Sequence, residues 1–140
     1  MNRCTYLIAV VVLATLGAKV SADDIYTEPG VGNFTWPDPS GLTGGKDPKS
    51  KGALVTVITT TDVMAGHTAV VKYQIGTFVN NQFQEIANYS RNLQAGNGQQ
   101  VSNSFAGLAF NVEYTVYVTG TFDNNGLLSQ TFSRKITVKQ

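Results

Sequence analysis

"VEYTVYVTGTF" (Val112–Phe122) decides how this chain is read. Val112, Tyr114, Val116, Val118 and Phe122 share one parity, with Gly120 among them, while Glu113, Thr115, Tyr117, Thr119 and Thr121 share the other. Alternation of this kind gives a strand with one buried face and one polar face. "DNNG" (123–126) follows. Its residues tolerate positive φ, so a hairpin into "SQTFSRKITVK" (129–139) is predicted. On that last strand Phe132, Ile136 and Val138 are expected to face inward. Arg134 interrupts their parity, which a bulge or an edge position would explain.

Working back along the chain, similar runs lie at 53–61 (ALVTVITTT), 68–78 (TAVVKYQIGTF), 82–90 (QFQEIANYS) and 99–105 (QQVSNSF). "MAGH", "VNN" and "AGNG" separate them and carry turn chemistry. No apolar period long enough for a helix appears. Short strands at regular spacing predict an all-β sandwich or barrel.

The stretch "FAGLAFNVEYTVYVTGTFDNNGLLS" (105–129) resembles a fibronectin type III domain. In that family a leucine precedes a short loop, and a tyrosine six positions later opens strand F. Leu108 and Tyr114 stand at that spacing, with Glu113 in the usual acidic place. The resemblance implies a tyrosine corner, in which the ring of Tyr114 packs in the core and its hydroxyl bonds back to the incoming chain. It also implies that 99–108 is strand E, that 70–86 is the C–C′ hairpin and that 53–61 is strand B. The expected fold is an immunoglobulin-like antiparallel sandwich of about seven strands. The resemblance covers roughly 68–140 of the chain. Three features depart from the family. The strand B tryptophan is missing from 53–61, Phe110 replaces the usual proline before strand F, and no Arg-Gly-Asp tripeptide is present. No ligand site is carried over.

Residues 23–52 hold all four prolines and many glycines. Proline removes a ladder donor and biases its predecessor towards extended backbone. An extended N-terminal arm with turns is predicted there, ahead of a sandwich at 53–140. The arm carries the only tryptophan, Trp36, within "NFTWPDPSG" (33–41). Two readings stand. Trp36 either docks on the core and fills the vacancy in strand B, worth about 2–3 kcal/mol by area, or it is a binding aromatic.

The first residues, "MNRCTYLIAVVVLATLGAKVSADD", read as a secretory signal peptide spanning 1–22. Arg3 forms the positive region, Tyr6–Leu16 the apolar region and Val20-Ser21-Ala22 the cleavage site. The apolar run falls short of the ~20 residues a membrane span needs, and no anchor is expected after it. Cleavage would leave residues 23–140 as a secreted, extracellular and disulfide-free chain, because Cys4 is the only cysteine. Thiolate metal sites and cysteine catalysis go with it. Arg3 and Lys19 leave as well, which tips the charge slightly negative and speaks against nucleic acid as a partner.

Chemistry-bearing residues are sparse. His67 is the only histidine and is expected in a surface turn, without partners for a metal or a triad. Glu85 and Glu113 could meet as an acid/base pair, but solvent-facing strand positions account for both. "KDPKSKG" (46–52) reads as a solvated basic turn, with a heparin-type patch as the functional alternative. No enzyme activity, cofactor or metal is expected. Asn33-Phe34-Thr35 and Asn88-Tyr89-Ser90 fit the N-glycosylation sequon, so Asn33 and Asn88 are expected at the surface, with Asn88 facing outward. Tyr117, with Tyr89 and Phe78, either covers the outer sheet face or forms an aromatic platform. The leading expectation is a small, secreted, non-enzymatic sandwich that binds an extracellular or cell-surface protein. The alternatives are a carbohydrate-binding module using Trp36 or Tyr117, and a structural protein that associates with itself through a strand edge.

Overall fold

The computed structural model of the protein describes residues 22–123 and 127–140. The expected signal peptide, apart from Ala22, and residues 124–126 of the "DNNG" turn lie outside them. Among the described residues there are nine strands and no helix. They are β1 (Asp24–Glu28), β2 (Gly32–Trp36), β3 (Leu42–Lys46), β4 (Ala53–Val63), β5 (Thr68–Val79), β6 (Gln82–Leu93), β7 (Gly96–Leu108), β8 (Glu113–Asp123) and β9 (Leu127–Thr137).

Two antiparallel sheets form. The second runs β6-β5-β8-β9. In the first, β4 pairs along its length with β7, so β3 and β2 share its other edge. β3 takes Ala53–Val57 and β2 takes Thr60–Val63, and β1 pairs outside β2. The expected extended arm with turns contributes three short strands, β1 to β3, to the edge of the first sheet. The four prolines do not interrupt them, because Pro29, Pro37, Pro39 and Pro48 all fall between strands. At Glu28–Val31 the Val31 N–H donates to the Glu28 carbonyl at 3.0 Å. Pro29 and Gly30 (φ +78°) hold the two central places of this turn, and a type II turn needs positive φ at the second of them.

The core fills the space between the sheets. Alternate residues of β4 point into it, namely Val55, Val57, Thr59, Thr61 and Val63. They meet Val71, Tyr73 and Ile75 of β5 and Val116, Val118 and Phe122 of β8. Phe34 of β2 lies over Gly120 of β8, where an added Cβ would sit 2.7 Å from the ring. Tyr73 crosses the core with its polar end satisfied. Its hydroxyl donates to the Val101 carbonyl at 2.8 Å and lies 2.8 Å from Thr59 Oγ1. Burial pushes the Tyr73 phenol up to about 12.

Arg134 is on an edge strand, β9, and no register shift occurs between β8 and β9. The interrupted parity is thus a genuinely inward arginine rather than a bulge. Its guanidinium lies 4.0 Å from the Trp36 ring centroid. It donates to the Trp36 carbonyl at 2.6 Å, to the Pro37 carbonyl at 2.7 Å and to Asp24 Oδ2 at 3.0 Å. One side chain thereby ties the last strand to the first two.

Candidate functional site

The β5–β6 hairpin positions the candidate site. Asn80 (φ 53°) and Asn81 (φ 63°) make a two-residue turn with both φ values positive, the arrangement that suits a tight hairpin. This turn pairs Val79 with Gln82 and Phe78 with Phe83. Phe78 and Phe83 lie on the outer face of the second sheet, with ring centroids 5.8 Å apart and planes at 57°. The ring of Phe83 continues across Gly76, where a Cβ would stand 2.8 Å from it. It ends edge-on to Tyr117 of β8, at 4.8 Å and 89°. The glycine in the strand is covered by a neighbouring ring, a cross-strand device that restores packing where no side chain exists. Thr115 also faces outward by parity, yet it is only 5 % exposed.

Beside these rings an open depression of about 660 Å³ is lined by Phe78, Thr115, Tyr117, Ser133 and Lys135, among others. Phe78 is 49 % exposed; Val79, next in the chain, and Ile86 of β6 are 51 % and 53 % exposed. Polar pairs surround the patch. Gln74 Nε2 donates to Glu85 Oε1 at 2.9 Å, and Asn88 Nδ2 donates to Glu85 Oε2 at 3.1 Å. These bonds, first Gln74 and then Asn88, hold the Glu85 carboxyl below its ordinary range. Lys135 Nζ lies 3.3 Å from Glu113 Oε1, so Glu85 and Glu113 are exposed strand residues with separate partners.

Trp36 does not belong to this site. It is fully buried, and its indole N–H donates to the Gly41 carbonyl at 2.9 Å. Reading Trp36 as a binding aromatic is therefore corrected. Its ring is enclosed under Arg134, and its one donor is used. Tyr89 is corrected too. It pairs with Tyr73, packs against that ring at 6.0 Å and faces the core. The cause is a bulge. Ile75 pairs with Ala87 and Gly76 with Glu85, which leaves Ile86 extra and reverses the parity beyond it. The same bulge turns Asn88 outward, where it is exposed. Asn33 sits on the outer parity of β2, opposite Thr27 and Asp62, and is half-buried.

Tyr114 is buried, and its hydroxyl accepts a bond from the Ala109 N–H at 2.8 Å; Leu108 is buried just before it. His67 is half-buried in its turn, with Nδ1 3.3 Å from the Asp123 carbonyl. Among the described residues, no three His, Cys, Asp or Glu side chains are grouped closely enough to hold a metal ion. Sequence reasoning named Phe78 and Tyr117 but passed over Phe83, Gly76 and Ile86. The symmetry of "FVNNQF" (78–83) about its Asn-Asn turn was the available signal for Phe83. Comparison with known proteins finds no matching family model, no matching curated protein and no matching solved structure.

Proposed function

We propose that the chain is a secreted, non-enzymatic binding module that engages an extracellular or cell-surface protein through the Phe78–Phe83–Tyr117 face. The supporting observation is the form of that face. Three rings set at 57° and 89° to one another, half-open to solvent, are ringed by hydrogen-bonded and ionic pairs. An apolar aromatic centre with a polar rim is the anatomy of a protein–protein interface. A sugar platform asks for coplanar rings, and the inclined planes here favour protein over carbohydrate. The finer fold proposed is immunoglobulin-like and similar to fibronectin type III. The β6-β5-β8-β9 order and the Tyr114–Ala109 bond support it.

The test is capture from extracellular fluid and cell surfaces with the immobilised protein, beside a variant carrying Phe78→Ser and Tyr117→Ser. A protein partner held by the wild type and released by the variant is expected. Equal capture by both would contradict the reading.

A further inference from the structure

The segment "KDPKSKG" (46–52) closes the turn between β3 and β4, and Asp47 organises it. The Asp47 N–H donates to the Gly52 carbonyl at 3.0 Å. Its carboxylate accepts the Ser50 hydroxyl at 2.7 Å and the Lys49 N–H at 2.9 Å. Asp47 is 5 % exposed. The one acid of the loop is therefore used up in holding it, and Lys46, Lys49 and Lys51 are left exposed.

A second segment joins them. Gly44 of β3 lacks a side chain, and a Cβ there would stand 2.6 Å from Val138 Cγ2. The residues after β9 can thus lie against β3, and the Asn111 N–H holds the Val138 carbonyl at 2.8 Å. Lys139 arrives beside Lys46 and Lys51, with Phe110 and Ser50, around one open groove of about 880 Å³. None of these lysines takes part in an ion pair among the described residues. The groove shares no lining residue with the aromatic depression. Glu28, Asp62 and Asp123 stand at the other end of the sandwich, at or near the ends of β1, β4 and β8, while on the lysine side Asp47 is tied into its loop and Glu113 is paired with Lys135.

We infer that the groove formed by Lys46, Lys51, Lys139 and Phe110 binds a sulfated linear polysaccharide. Lysine ammonium groups act as hydrated point charges, which suit sulfates spaced along a flexible chain. Arginine forks, which suit planar bidentate recognition of phosphate, are absent from the lining. Phe110 offers an apolar wall to the sugar ring.

The experiment is a calorimetric titration of the purified protein with a heparin dodecasaccharide at low and at physiological salt. Binding that weakens with salt is expected. The Lys46→Gln/Lys51→Gln/Lys139→Gln variant should bind about tenfold more weakly. Lys72→Gln, on β5, should bind as the wild type does. Four results would each overturn the inference: no binding at low salt, unchanged affinity in the triple variant, equal affinity for desulfated heparin, or equal affinity for double-stranded DNA.

Discussion

Two groups of aromatic side chains divide the molecule. The inner group holds the buried rings of Trp36 and Tyr73, the Phe34–Phe132 pair at 5.8 Å and the Tyr26–Phe122 pair at 5.7 Å. The outer group is Phe78, Phe83 and Tyr117. Inner rings bridge strands distant in sequence, and the buried polar handles of Trp36 and Tyr73 are matched. Outer rings tile one face of a single sheet and cover backbone at Gly76. The difference separates rings that hold the fold from rings that stay partly open to solvent.

The sharpest way to break this division is Trp36→Ala. Removing a fully buried ring should cost about 3–5 kcal/mol, read as a lower midpoint in urea unfolding. Arg134→Met follows. It leaves the Trp36 and Pro37 carbonyls and Asp24 without their donor. A loss of about 3 kcal/mol is expected in the same titration, and Arg134→Lys should recover only part of it because a point charge cannot reproduce the fork.

Tyr73 gives a pH-dependent test of the inner group. Its phenol ionises near 10.0 when unfolded and at about 12 in the folded protein. The unfolded chain therefore loses its proton first as pH rises. The stability from this group is complete below pH ~10 and is lost between there and about 12, amounting to roughly 2–3 kcal/mol. Chemical denaturation across that window should show the decline, and Tyr73→Phe should remove this component of the slope.

The outer group predicts smaller effects on stability. Phe78→Ser with Tyr117→Ser should change unfolding free energy by no more than about 1 kcal/mol while abolishing partner capture. Lys135→Ala sets the lower limit. Its pair with Glu113 is exposed on both sides, so the change should stay within about 0.5 kcal/mol by calorimetry.

How legible each region was in the sequence follows the same boundary. Strands β4 to β9 announce themselves through β-branched and aromatic runs between turn residues, with clear alternation in β8, and the role of Tyr114 was implied by the fibronectin type III resemblance. Strands β1 to β3 are five residues each, too short for a period to stand out among prolines. Their pairing depends on β4, whose partner edge no local pattern reveals. The bulge at Ile86 leaves no mark in composition, yet it exchanges the faces of Asn88 and Tyr89. Arg134 did break its parity visibly. The partners that explain the break lie 97 to 110 positions earlier in the chain, so only the assembled sandwich identifies them.

One measurement reaches both groups together: solvent paramagnetic relaxation of the aromatic protons, using a soluble gadolinium chelate. The division predicts strong relaxation at Phe78, clear relaxation at Phe83 and Tyr117, and none above background at Trp36 and Tyr73. A Trp36 indole relaxed as strongly as Phe78 would contradict it, and would return the tryptophan to the molecular surface.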